Sequence, residues 1–228
     1  MNQKDLIEAA ENIQADYERY KRDSHPYEIK GIFHSELLMF CAISQKIKPE
    51  LIIESGRARG QSTELIARYA MDKGIEFHSI ESNKSNGDSD IAEERLTGLP
   101  VILHYGDSFE IMPFLVKDKK TLILIDGPKG SGMWKLFEIM YSIPNVAGVF
   151  THDSGKGTSI RKNLDNKYPG KYIASDEKEF VKRFSFLDEE CWAVNPWGPY
   201  EHGSYIQGKV LNLEKSESYS GTLAFMGK

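Results

Sequence analysis

Beyond Pro49 the chain repeats one unit, a short apolar run, a turn and a helical pattern, and this restricts the fold more than any other feature. The runs are Leu51-Ile52-Ile53, Phe77-His78-Ser79-Ile80, Val101-Ile102-Leu103, residues 121–125 and residues 146–150. Helical patterns follow them at residues 61–71, 91–96, 109–116, 133–141 and 158–168. Apolar strands alternating with helices predict a parallel sheet covered on both faces. Residues 191–194, 204–211 and 222–225 have strand character with no helix between them, which predicts an antiparallel end to the sheet. The expected architecture is a Rossmann-like three-layer α/β sandwich. Its seven-stranded sheet is mostly parallel, with an antiparallel C-terminal strand and N-terminal helices.

Ahead of this core, Leu6, Ala9, Ile13, Tyr17 and Tyr20 recur at amphipathic helical spacing. A break at Pro26 separates them from residues 33–47, which are apolar nearly all round and read as a buried helix. Residues 1–48 therefore form a helical extension to an α/β core at 49–228, within one domain of 228 residues. The net charge of −5 gives no general basic character, so a nucleic-acid partner is not expected. Of the two cysteines, Cys41 lies in an apolar run and reads as a buried reduced thiol. The N-terminus carries no signal-peptide core, and no uncharged apolar run approaches a membrane span. Cytoplasmic residence without a membrane partner is the expectation, and the chain is compatible with a homodimer.

Ligands of open α/β sheets bind beyond the carboxyl ends of the strands. The turn after the first strand reads Glu54-Ser55-Gly56-Arg57-Ala58-Arg59-Gly60. It is neither of the common nucleotide loops. The dinucleotide pattern fails because position 58 is alanine and position 61 glutamine. A Walker loop fails because Met133 and Trp134 follow Gly132 where Lys and Ser or Thr belong. Gly56 lets the chain turn sharply off the strand, and Gly60 lets the helix start approach a ligand. The helix N-terminus, with Ser62 and Thr63, offers donors to a carboxylate. At the second strand end Glu81 is placed to accept hydrogen bonds from ribose hydroxyls. After the third, Gly106-Asp107-Ser108 is placed for an adenine ring, with Asp107 accepting from its amine.

Glu54-x-Gly56-x-x-x-Gly60-x-Ser62 resembles motif I of the catechol O-methyltransferase type of S-adenosylmethionine (SAM)-dependent O-methyltransferases, within the class I methyltransferases. The resemblance runs from about residue 31 to 154 and includes the Lys48-Pro49-Glu50-Leu51 approach to the first strand. It implies SAM as cofactor, with Glu54, Gly56 and Ser62 at its methionine end and Glu81 at its ribose. The full cofactor set is then Glu54, Gly56, Arg57, Gly60, Ser62, Glu81, Asp107, Ser108 and Asp126.

The fourth strand ends in Asp126-Gly127-Pro128-Lys129 and the fifth in Thr151-His152-Asp153-Ser154. Adjacent strand ends bring Asp126 and Asp153 together, and two carboxylates beside a third oxygen donor suit a hard cation such as Mg²⁺, Ca²⁺ or Mn²⁺. The resemblance implies that Asp126, Asp153 and residue 154 hold this divalent cation and that Lys129 is the general base. Where the family has Asp-Asn, this chain has Asp153-Ser154, and serine is the poorer ligand. Partial desolvation beside a cation is expected to lower the Lys129 pKa towards neutrality. Strand alternation is expected to turn His152 away from Asp153. His78 and His104 read as packed or surface residues. The stretch Asn195-Pro196-Trp197-Gly198-Pro199-Tyr200 suits a wall of an acceptor pocket, as does the segment from Tyr27 to His34.

The expected function is SAM-dependent methyl transfer to a hydroxyl of a small molecule, assisted by a divalent metal. Two alternatives stand: a SAM-fold relative of the cephalosporin hydroxylase group, and a non-catalytic protein that binds SAM or a nucleoside.

Overall fold

The computed structural model describes residues 1–28, 31–85, 87–194 and 222–228. Two helices, α1 (Gln3–Arg22) and α2 (His34–Ile47), precede the alternating core. The core runs β1 (Leu51–Ser55), α3 (Gln61–Lys73), β2 (Glu76–Glu81), α4 (Gly87–Arg95), β3 (Val101–Tyr105), α5 (Ser108–Val116), β4 (Thr121–Ile125), α6 (Ser131–Ser142), β5 (Val146–Thr151) and α7 (Ser159–Lys167). Then come β6 (Tyr172–Ala174), α8 (Lys178–Phe184), a 3-10 turn (Ser185–Asp188), α9 (Glu189–Val194) and β7 (Ala224–Gly227). The strands form one seven-stranded sheet in the order β3-β2-β1-β4-β5-β7-β6. The pairs among β1 to β5 are parallel, and β7 runs antiparallel to both β5 and β6. The expected Rossmann-like fold with an antiparallel C-terminal strand is the observed one.

Strand alternation splits the core into two layers. Ile52, Leu122, Leu124 and Phe150 face α1, α2, α3 and α8, joining Leu6, Ile13, Phe40, Ile66 and Phe180. Leu51, Ile53, Ile123, Ile125 and Val149 face α5, α6 and α7, joining Met112, Phe137 and Leu164. The head of α2 is tied to the 3-10 turn by Asp188, which accepts from Ser35 N–H at 2.8 Å and Ser35 Oγ at 2.6 Å. Cys41 is buried and free, as expected.

One expected strand is corrected and one strand is new. Residues 191–194 lie in α9, whose first turn carries Glu189 and Glu190, the charge a helix N-terminus favours. The edge strand β6 went unread because three residues are too few for a pattern. Residues 204–211 and the Trp197–Tyr200 stretch lie outside the described residues. Among the described residues no helix is long and apolar enough to cross a membrane.

Candidate functional site

β1 and β4 are neighbours whose crossovers leave in opposite directions along the sheet, so a crevice opens beyond their carboxyl ends. Gly56 sits in that crevice at φ +92°, and a Cβ there would lie 2.5 Å from Gly127 N and 2.8 Å from Asp126 C. Only glycine allows both the left-handed backbone and the close approach. Gly60, at φ +77°, opens the N-cap of α3, but its bare face meets Ala92 of α4 at 3.2 Å rather than a ligand space.

Above the crevice lies a cavity of about 430 Å³ lined by Ser55, Gly56, Glu81, Ser82, Gly106, Asp107, Ser108, Phe109, Gly127 and Pro128. It joins four of the expected cofactor residues, Gly56, Glu81, Asp107 and Ser108, and adds Ser55, Phe109 and Pro128. Glu81 braces the glycine turn, accepting from Ala58 N–H at 2.9 Å and, through its other oxygen, from Ser82 N–H at 2.8 Å. Asp107 caps α5 by accepting from Phe109 N–H at 2.8 Å through Oδ1, which leaves Oδ2 for a ligand.

The other five expected cofactor residues, Glu54, Arg57, Gly60, Ser62 and Asp126, do not line this cavity. Glu54 is fully buried on the α3 side of β1, where Ser62 Oγ (2.9 Å), Thr63 Oγ1 (2.5 Å) and Ser79 Oγ (2.6 Å) donate to it. Burial pushes its pKa up against the three hydroxyls. The carboxylate thus stitches β1 to β2 and to the head of α3. The Arg57 guanidinium donates to Ser79 O at 2.9 Å and lies 4.8 Å from the Tyr105 ring centroid.

The β4 and β5 ends meet in an ionic cluster. His152 Nδ1 lies 2.7 Å from Asp126 Oδ1 and 3.4 Å from Asp153 Oδ1. Asp126, His152 and Asp153 each offer a ligand atom within 4.8 Å of the others, a spacing that suits one metal ion. Contrary to the alternation expected of a strand, His152 turns towards Asp153. β5 stops at Thr151, His152 N–H continues the ladder to Ile125 O at 3.0 Å, and Asp153 takes φ +54°. That left-handed residue breaks the alternation, so consecutive side chains reach one point. Ser154, the expected third donor, has its hydroxyl turned to other partners. It is fully buried, and its Oγ is engaged with Thr151 Oγ1 (2.8 Å), Thr151 O (2.9 Å) and His152 O (3.3 Å).

The Lys129 ammonium stands between the two acids, donating to Asp126 and, at 2.7 Å, to Asp153. The side chain is 58% exposed, so what desolvation it feels from the neighbouring walls is outweighed by Asp126 and Asp153, and its pKa is raised. The expected depression is therefore corrected for this arrangement: Lys129 is a counter-ion, with no lone pair to act as base. Burial likewise works against charge on Asp126, yet His152 and Lys129 hold its pKa well below the carboxylate range. His152 is the mirror case, raised well above an ordinary imidazole by Asp126, Asp153 and Glu36 against burial. His78 and His104 stack on each other in β2 and β3, with ring nitrogens 2.7 Å apart.

No family model and no curated protein matches the chain. Solved structures do. The O-methyltransferase TomG from Streptomyces achromogenes, involved in tomaymycin synthesis and crystallised with SAM, is 16% identical. That match covers 100% of this chain and 91% of TomG, at a TM-score of 0.49. A Podospora anserina methyltransferase bound to S-adenosylhomocysteine is 14% identical, covering 96% of each chain at a TM-score of 0.47.

Proposed function

We propose that the protein is a SAM-dependent O-methyltransferase that moves a methyl group to a hydroxyl of a small molecule with the help of a divalent cation. The observation that carries this reading is the junction of two sites on residues 126–129: the cavity beside Gly127 and Pro128, and the acidic cluster beside Asp126 and Lys129. The cavity fits the cofactor in its lining: a bare Gly56 Cα, the Glu81 carboxylate for a ribose, and Asp107 Oδ2 for an adenine amine. The cluster fits a cation in its donors. Two carboxylates with one imidazole favour Mn²⁺ over Mg²⁺ and Ca²⁺, which prefer oxygen alone.

When bound, SAM supplies an electrophilic methyl and the cation acidifies a coordinated hydroxyl. The chain's residues do the rest. Asp126, His152 and Asp153 would hold the cation. Phe109 and Pro128 supply the apolar part of the cavity wall, and the shared segment 126–129 would bring an acceptor held at the cluster beside a methyl donor in the cavity. Lys129 would take the hydroxyl proton at Nζ in the state in which a cation holds Asp126 and Asp153, because the two acids that raise its pKa are then withdrawn and the cation's charge opposes its own.

Calorimetric titration with SAM tests the cofactor; heat that vanishes in Glu81→Ala is expected, and no binding at millimolar SAM refutes the reading. Methyl transfer from labelled SAM to a panel of hydroxylated small molecules, with and without chelator, tests the chemistry. Transfer indifferent to chelator removes the cation.

A further inference from the structure

We propose that Glu36, at the head of α2, is a positioning residue that locks the His152 ring and so completes the site from the N-terminal helices. The inference rests on reading Asp126, His152 and Asp153 as a cation site.

A histidine that presents Nδ1 to a ligand leaves Nε2 to be satisfied by an outer acceptor. His152 Nε2 is buried and has no hydrogen-bond partner, and Glu36 Oε2 lies 3.5 Å away. Glu36 is fully buried. Its carboxylate is held from behind: Oε2 accepts from Phe33 N–H at 3.0 Å, and Oε1 lies 3.5 Å from Ser175 Oγ. A carboxylate that only caps a helix can do so from solvent, whereas a buried one needs a partner to offset its desolvation. The neighbouring basic group is His152.

The geometry then assigns two tasks to Glu36. In this arrangement Nδ1 shares its proton with Asp126 at 2.7 Å; were a cation to displace that proton, a Glu36 acceptor for Nε2–H would keep the remaining proton on Nε2, so that Nδ1 is the nitrogen offered to the cation. It also restricts the ring plane, because Asp126 holds Nδ1 at 2.7 Å while the Glu36 carboxylate stands 3.5 Å from Nε2 on the other side. The N-terminal helices thereby belong to the site and not only to the core. Sequence reading passed over Glu36, although it is the one acid heading an otherwise apolar run.

The test uses the full chain as wild type, Glu36→Gln and Glu36→Ala, with two readouts. The first is the side-chain Nε2–H resonance of His152 by ¹⁵N-resolved NMR without added metal. A slowly exchanging signal is expected in wild type, shifted in Glu36→Gln and lost in Glu36→Ala. The second is Mn²⁺ binding by electron paramagnetic resonance, expected to weaken about tenfold to a hundredfold in Glu36→Ala and less in Glu36→Gln. Wild-type Nε2–H behaviour or wild-type Mn²⁺ affinity in both variants overturns the proposal. Should Glu36→Ala fail to fold, Glu36→Gln carries both readouts. Failure of wild type to bind Mn²⁺ while the Nε2–H pattern holds overturns the cation reading instead and leaves Glu36 as the positioning residue of His152.

Discussion

Replacing Asp188 by Asn should move stability in the variant's favour as pH rises towards neutral, by an amount the Asp188 pKa sets. Asp188 is fully buried and burial pushes its pKa from 3.8 up to about 7, with the Glu36 charge adding to the effect and the Ser35 hydrogen bonds opposing it. Between those two values the folded chain binds a proton that the unfolded chain has released. Stability therefore falls as pH rises across the window and levels off above it. At about 1.36 kcal/mol for each pH unit, the ionised carboxylate costs the fold roughly 4 kcal/mol above pH 7. Asn keeps one acceptor for Ser35 N–H and carries no charge. Urea unfolding of wild type and Asp188→Asn at intervals from pH 4 to pH 8 reads the difference directly. That difference should move towards the variant by roughly 4 kcal/mol between pH 4 and pH 7 and stay flat beyond. Two curves that run parallel through the window would refute the assignment.

Other outcomes follow from the site. Gly56→Ala should lose about 3 kcal/mol or more in urea unfolding, since its Cβ would meet Gly127 N at 2.5 Å on a left-handed backbone; wild-type stability contradicts this. Ser154→Ala should cost about 1 kcal/mol of stability for its buried hydrogen bonds and leave Mn²⁺ affinity within about twofold, whereas a tenfold loss would make Ser154 a ligand. Cation binding needs a neutral His152, whose pKa is raised, so Mn²⁺ affinity should rise about tenfold per pH unit below that pKa as one proton is released. Calorimetry in two buffers of different ionisation heat measures the release, and identical heats would dismiss it. Lys129→Met should tighten Mn²⁺ binding by removing a competing cation while slowing methyl transfer; weaker Mn²⁺ binding would show that Lys129 supports the site.

The core strands were legible because each is a separate apolar run with its own turn. β6 was not, since Tyr172-Ile173-Ala174 gains meaning only from β7, which follows much later in the chain. What the sequence made legible at the candidate site was placement: Gly56, Glu81, Asp107, Asp126 and Asp153 stand at the strand ends where the strand-turn-helix pattern put them. The misreadings share one cause: they depend on where a neighbour points. Alternation was carried one residue past the end of β5, where the left-handed Asp153 cancels it. Ser62 and Glu54 were read as facing a ligand, yet they face each other, a pairing set by the packing of α3 on β1. Lys129 was expected to lose its proton, but two acids from different strands close on it.

The placement of β7 between β5 and β6 has a consequence for the order of assembly. β6 has a single sheet neighbour, β7, so after its synthesis it has nothing to pair with until about 50 further residues have been made. Closing a chain of that length costs on the order of 3 kcal/mol before any contact repays it. The five parallel strands can gather earlier through nearer partners, leaving the β5 edge open to the surroundings. A nascent or partly unfolded chain would thus expose that edge as its sticky face, and the arrival of Ala224–Gly227 is the event that seals it.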